Sequence, residues 1–199
     1  MKNEKISIKG NFYRNLLYFA IGDPDNILIQ SSRKAYRDMC RTLRLNGESL
    51  LDIRNNVDDF LFTQINSLIE KSELNQTDFD AWHKSVCLEI IRFYYDKYPM
   101  FSIGQAQKWL NMTLKYFYVS QIDQRVNKVS DYFHVPLDNY INEILINNNL
   151  SSFIGAWSKM SSYDDYMNIQ KNIRLNIKNQ SPIDWEMEQW LKAAVDRKE

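Results

Sequence analysis

The chain of 199 residues contains few of the side chains that bind metals, with two cysteines and two histidines in all. Neither cysteine belongs to a CxxC pair, and the Asp-rich spacing of a calcium loop is absent, so we predict no metal. Nothing in the sequence calls for another cofactor. Cys40 and Cys87 stand alone among apolar neighbours, which indicates a reducing compartment and a cytoplasmic protein.

Net charge and long apolar runs are also missing. Lys and Arg together number 25, and so do Asp and Glu, giving a formal net charge of zero. A charged partner must therefore be bound by a local patch rather than by the field of the whole protein. The first residues lack the apolar core of a signal peptide, and no run approaches the ~20 apolar residues that cross a bilayer, so no membrane association is expected.

Glycine and proline are scarce, with five and four residues. Between them, apolar residues recur at intervals of three and four, which is typical of helices. Because 44% of the residues are hydrophobic, the chain can bury one sizeable core. We predict an all-α protein, a monomer with a single compact multi-helix domain over residues 1–199. The predicted helices cover residues 12–20, 32–45, 49–71, 77–98, 102–117, 138–147, 161–178 and a last segment that starts at 181.

The segment FSIGQAQKWLNMTLKYF, residues 101–117, combines an apolar face with a polar one. Lys108, Asn111 and Lys115 share one stripe of the predicted helix. Such a stripe usually faces water, and this alternative stays open beside a functional one. The residues expected to point inward are Ala106, Trp109, Leu110, Thr113, Leu114 and Phe117.

A second segment, FHVPLDNYI, begins at Phe133. Its first residues should be extended as far as Pro136, because the residue before a proline avoids the helical region. Asp138 then stands at the predicted N-cap of a helix. There its carboxylate would accept backbone N–H bonds, which favour the ionised form.

Together these segments resemble the helix-hairpin-helix DNA glycosylases, closest to the archaeal 8-oxoguanine glycosylase-like branch. In that superfamily a lysine near the start of one helix is followed by a Pro-x-Asp-like turn that carries an essential aspartate. The run from Lys108 to Phe117 is similar to the lysine helix of that branch, and the resemblance covers residues 101–144. It implies a helix-hairpin-helix glycosylase-like fold with its active-site region at 101–147. No cysteine cluster follows, so the iron–sulfur cluster of some relatives is not expected.

The resemblance also implies roles for individual residues. Lys108 and Asp138 would be catalytic, because base removal develops positive charge on the sugar that an aspartate stabilises while a lysine amine attacks C1′. Residues around the lysine would contact duplex DNA with a flipped base, and an aromatic ring or a histidine would line the base pocket. For the aromatic residue the alternative is core packing, and for the histidine a hydrogen-bonded structural role. The DNA contacts are Gly104, Gln105, Gln107, Asn111 and Lys115, and the pocket residues are Trp109 and His134.

Positive charge is concentrated in SSRKAYRDMCRTLR. Its arginines are spaced by four, four and three residues, which places them on one helical face where they could contact DNA phosphates. Ion pairing with nearby aspartates is the alternative. The row consists of Arg33, Arg37, Arg41 and Arg44.

Three functions remain open at this point. The first is a DNA glycosylase for a damaged or phage-modified base, acting in DNA repair or phage defence, with a possible lyase activity. The second is a helical DNA-binding module without catalysis. The third is a protein-interaction component of a phage–host conflict system.

Overall fold

A computed structural model of the chain describes residues 12–43 and 50–196. These residues form α-helices joined by turns, short 3-10 helices and extended segments, without a β-strand, so the predicted all-α class is confirmed. The helices are α1 (residues 12–20), α2 (Ile27–Cys40), α3 (Leu51–Ile69), α4 (Gln76–Tyr94), α5 (Ile103–Ser120), α6 (Asn139–Asn147), α7 (Tyr163–Asn176) and α8 (Pro182–Asp196).

Four predicted boundaries are wrong by about three to five residues. Helix α2 begins at Ile27 and not at residue 32, because the 3-10 turn Pro24–Asn26, capped by Asp23, continues directly into it. Helix α4 ends at Tyr94, four residues before the predicted end. Helix α2 ends at Cys40, before its predicted end at residue 45, and α5 continues to Ser120, past its predicted end at residue 117.

The cap predicted at Asp138 is confirmed, and the lysine helix begins with a capping box formed by Ser102 and Gln105. Ser102 Oγ accepts a hydrogen bond from the Gln105 amide (3.1 Å), and the Ser102 amide donates to Gln105 Oε1 (3.0 Å). This reciprocal pair satisfies two backbone donors at the start of α5. Asp138 caps α6, where its Oδ1 accepts from the amide of Ile141 at 2.9 Å.

Helix α5 lies at the centre of the fold, where α2, α4 and the 3-10 helix Trp157–Lys159 pack against it. Its first twelve residues are all buried, whatever their polarity. The 3-10 helix approaches so closely that a Cβ on Gly104 would lie 1.8 Å from the carbonyl oxygen of Trp157. The solvated alternative for Lys108 and Asn111 is therefore wrong, because both residues are buried.

The predicted extended segment, residues 133–136, continues to residue 138 and is buried except at that last residue. Buried backbone groups outside helices need partners, and side chains supply them here. Gln170 binds both backbone groups of Val135, and Gln107 binds both backbone groups of Leu137. These contacts hold the segment between α5 and α7 and lead the chain to Asp138.

None of the helices in the described part of the chain has the length and apolar character needed to cross a membrane.

Candidate functional site

A cavity of about 630 Å³ lies along one face of α5, a size within the range of small-ligand sites. Five residues of α5 line it. Lys108, Met112, Lys115 and Val119 follow one another at spacings of four, three and four residues, and Tyr116 is the fifth. The first residues of α6, the middle of α8, the end of α2 and the 3-10 helix at Trp157 complete the wall. These further lining residues are Asp38, Arg41, Asp138, Asn139, Tyr140, Trp157, Glu186, Met187, Trp190 and Leu191.

The lysine and the aspartate singled out in the sequence meet in this cavity. Lys108 Nζ lies 2.5 Å from Oδ2 of Asp138, although thirty residues separate them along the chain. The Lys108 side chain is 8% exposed and that of Asp138 is 26% exposed. One carboxylate oxygen of Asp138 thus binds the lysine, while the other caps α6. A ligand in the cavity can reach both groups.

A second lysine–carboxylate pair lines the same cavity about 10 Å further along α5. Lys115 Nζ lies 2.5 Å from Oε2 of Glu186 on α8, and both side chains are largely buried. Burial raises the pKa of Glu186, and the nearby charge of Lys115 opposes that rise. The DNA contact of Lys115 stays a prediction. The residue lies in the cavity wall with a carboxylate partner that the sequence did not reveal.

Aromatic side chains form much of the remaining wall. Tyr140 and Trp190 have ring centroids 6.0 Å apart, and Lys115 Nζ lies 6.0 Å from the Trp190 ring. Tyr116 on α5 donates a hydrogen bond from its hydroxyl to Asp38 Oδ2 on α2 at 2.5 Å. Flat aromatic faces beside paired charges suit a planar, polar ligand. Glu186 and Trp190 are four residues apart on α8, so the sequence shows that they share a helix face and does not show what that face lines.

Trp109 does not line the cavity, so its predicted place in a base pocket is wrong. It is fully buried between Tyr36 and Tyr94, with ring centroids 4.9 and 6.3 Å away. Its indole N–H lies 3.0 Å from Oγ of Ser32 on α2. Consecutive residues on a helix point about 100° apart, which turns Trp109 into the core while Lys108 faces the cavity.

His134 is also absent from the cavity wall. It is buried in a polar network, where its ring nitrogens lie 2.9 Å from the Tyr166 hydroxyl and 2.8 Å from Asp80 Oδ1. Arg174 binds the other oxygen of Asp80 at 2.9 Å. Burial would raise the pKa of Asp80, but hydrogen bonds, first from His134, and the charge of Arg174 outweigh it and lower this pKa to about 2. These contacts support the alternative given for His134, a hydrogen-bonded structural role.

The polar residues around Lys108 are occupied by protein partners. Gln105 combines its cap bond with a 2.9 Å bond to Thr42 Oγ1. Asn111 accepts from His83 Nε2 at 2.9 Å, and Gln107 binds the extended segment. Gly104 is covered by the 3-10 helix beside it. Because all four are buried, none of them can contact DNA directly in this conformation, contrary to the expectation from sequence.

Three members of the arginine row are exposed, and the fourth, Arg44, lies outside the described residues. Arg33 Nε lies 3.3 Å from Oδ2 of buried Asp58, so this arginine forms an ion pair with an aspartate. Burial raises the pKa of Asp58, and hydrogen bonds from Ser32 and Arg33 oppose this effect. Arg41 lines the cavity, which places positive charge at its edge.

The arrangement can therefore present an amine and a carboxylate to one ligand atom, next to a wall of aromatic rings. No His, Cys, Asp or Glu cluster large enough to hold a metal ion occurs among the residues described. Comparison with protein-family models, with curated proteins and with solved structures gave no match to this chain. The geometry of the cavity is the basis for a functional proposal.

Proposed function

We propose that the protein is a DNA glycosylase that releases a damaged or modified base, with Lys108 as nucleophile and Asp138 as the stabilising carboxylate. The observation that carries the proposal is their contact at 2.5 Å inside a cavity. A structural ion pair alone would not need a cavity lined by aromatic rings. A flipped base needs such faces for stacking.

The chemistry assigns each group a step. As the bond between sugar and base breaks, positive charge develops at C1′, and the Asp138 carboxylate stabilises it. The Lys108 nitrogen forms a bond to C1′, and the base leaves with the electron pair of the broken bond. The base also takes up the proton that the Lys108 ammonium must lose, so charge is conserved. Opening of the sugar ring then gives an imine, from which strand cleavage by a lyase step follows.

The exposed arginines give this site a route to DNA despite the zero net charge. Arg37 and Arg41 lie near the end of α2, and Arg41 reaches the cavity. Phosphate contacts there would bring the duplex to the cavity without a strongly basic protein.

The test is a panel of duplexes, each with one damaged or phage-type modified base, assayed for abasic sites. Asp138→Asn should keep the cap of α6 and DNA binding but lower base release at least about 100-fold, because the charge on the sugar loses its counter-charge. Asp123→Asn is the matched control, since Asp123 caps a 3-10 helix elsewhere. Lys108→Gln should abolish the adduct that borohydride traps.

Undiminished release by Asp138→Asn would show that another carboxylate acts. Release from no duplex, together with measurable DNA binding, would favour the non-catalytic DNA-binding module. The absence of DNA binding even at low salt would leave the protein-interaction alternative.

A further inference from the structure

Gln107 has every hydrogen-bonding group of its side chain occupied, although it is fully buried. Its Nε2 donates to the carbonyl oxygens of Leu137 (2.8 Å) and Gly104 (2.9 Å). Its Oε1 accepts from the Leu137 amide and from Asn111 Nδ2, both at 3.1 Å. An amide side chain has two donors and two acceptor positions, so nothing is left for a ligand.

The register of these bonds links the two residues of the proposed active site. Gln107 directly precedes Lys108, and Leu137 directly precedes Asp138. The two bonds between Gln107 and Leu137 therefore join α5 to the extended segment one residue before each charged group. Any slip of the segment along α5 would break both bonds and move the carboxylate away from the lysine.

We propose that Gln107 is a positioning residue that sets the separation of Lys108 from Asp138. The proposal rests on the function proposed above. It replaces the expected DNA contact of Gln107 with a role exerted through Asp138. Asn111 supports this role, because its bonds to Gln107 Oε1 and to His83 fix which way the Gln107 amide faces.

The fold contains a matched control for this contact. Gln170 on α7 is also fully buried, and it exchanges the same two bonds with Val135, at 3.0 Å from the amide and 2.7 Å to the carbonyl. Helix α7 carries neither Lys108 nor Asp138, and Val135 is three residues from Asp138. Loss of either glutamine leaves one backbone N–H and one C=O of the segment without these partners. Only the loss of Gln107 should release Asp138.

The experiment uses a duplex with an abasic site, which needs no knowledge of the excised base. The Lys108 amine condenses with the C1′ aldehyde of the open sugar, water leaves, and borohydride reduces the imine to a stable secondary amine. Gln107→Met should slow the trapping at saturating protein about tenfold or more with unchanged DNA affinity, since proximity effects of this size follow from small displacements. Gln170→Met should trap within twofold of the wild-type rate, while circular dichroism confirms that both variants are folded.

A double variant tests whether Gln107 acts through the aspartate. In an Asp138→Asn protein, adding Gln107→Met should cause no further loss of trapping. The proposal would be overturned if Gln107→Met and Gln170→Met slowed trapping equally. It would also be overturned if Gln107→Met slowed trapping in the Asp138→Asn protein as much as in the wild type. If the methionine variants do not fold, Gln107→Glu and Gln170→Glu repeat the comparison, because each keeps an acceptor oxygen.

The positioning role can also be judged without catalysis. If the wild type traps no abasic DNA and releases no base, the proposed function fails, and crystal structures of the two glutamine variants decide the rest. A lengthened distance from Lys108 Nζ to Asp138 Oδ2 in the Gln107 variant alone would support the positioning role. An unchanged distance would overturn it.

Discussion

Acid should destabilise the folded protein through His83. This imidazole is fully buried, with Nδ1 2.8 Å from the Tyr163 hydroxyl and Nε2 2.9 Å from Asn111 Oδ1. Burial lowers the pKa of His83 well below its ordinary value, and the neighbouring His134 ring lowers it further. The folded protein therefore keeps His83 neutral at a pH where the unfolded chain binds a proton there.

The magnitude follows from linkage. An unfolded histidine has a pKa of about 6.5, so its contribution to stability is present above that pH and is lost as the pH falls below it. Because the pKa of His83 in the folded protein lies well below 6.5, the free energy of unfolding falls by up to about 1.4 kcal/mol for each pH unit below 6.5. Between pH 7.5 and pH 5.5, His83 should cost about 1.4 kcal/mol of the free energy of unfolding.

The assay is urea denaturation of the wild type and of His83→Gln at these two pH values. The other titrating groups are present in both proteins, so their contributions cancel when the two pH dependences are subtracted. Wild-type stability should fall by about 1.4 kcal/mol more than that of the variant. The same pH dependence in both proteins would refute a neutral, buried His83.

Two further perturbations test other parts of the structure. Gly104→Ala should lower the free energy of unfolding by about 2–4 kcal/mol, because its Cβ meets a backbone carbonyl oxygen and displaces the 3-10 helix. Gly155→Ala is the control, because a Cβ there meets no other atom and only the φ of 85° disfavours it, so it should cost about 1–2 kcal/mol. A Gly104→Ala protein as stable as the wild type would contradict the close packing of the 3-10 helix on α5. Replacing Arg37 and Arg41 by alanine should reduce the salt slope of duplex binding by about one per lost contact, whereas Arg92→Ala, on exposed α4 surface, should leave it unchanged.

Local sequence patterns were sufficient where local interactions decide the structure. The Ser102–Gln105 capping box and the Asp138 cap lie within three residues of their partners, so their spacing alone identifies the start of each helix. The sequence left open whether the polar stripe of α5 faces water, because helical periodicity reveals which residues share a face and not what covers that face. Covering by α2, α4 and the 3-10 helix depends on tertiary packing.

The candidate site was predictable only in part, for the same reason. The pairing of Lys108 with Asp138 followed from a family resemblance and from the cap, and the structure brings the two together. The partner of Lys115 was not predictable, because Glu186 lies 71 residues away and no local pattern marks the contact. Trp109 was misplaced because proximity in sequence to Lys108 does not mean a shared helix face.

The central claim, that Lys108 attacks the sugar, is tested most directly by locating the covalent bond. Wild-type protein would be trapped on abasic duplex with borohydride, digested with a protease and a nuclease, and sequenced by mass spectrometry. We expect the adduct on Lys108 and none on Lys115, which lies in the same cavity but is paired with Glu186. An adduct on Lys115 or on a surface lysine, or no adduct at all, would contradict it.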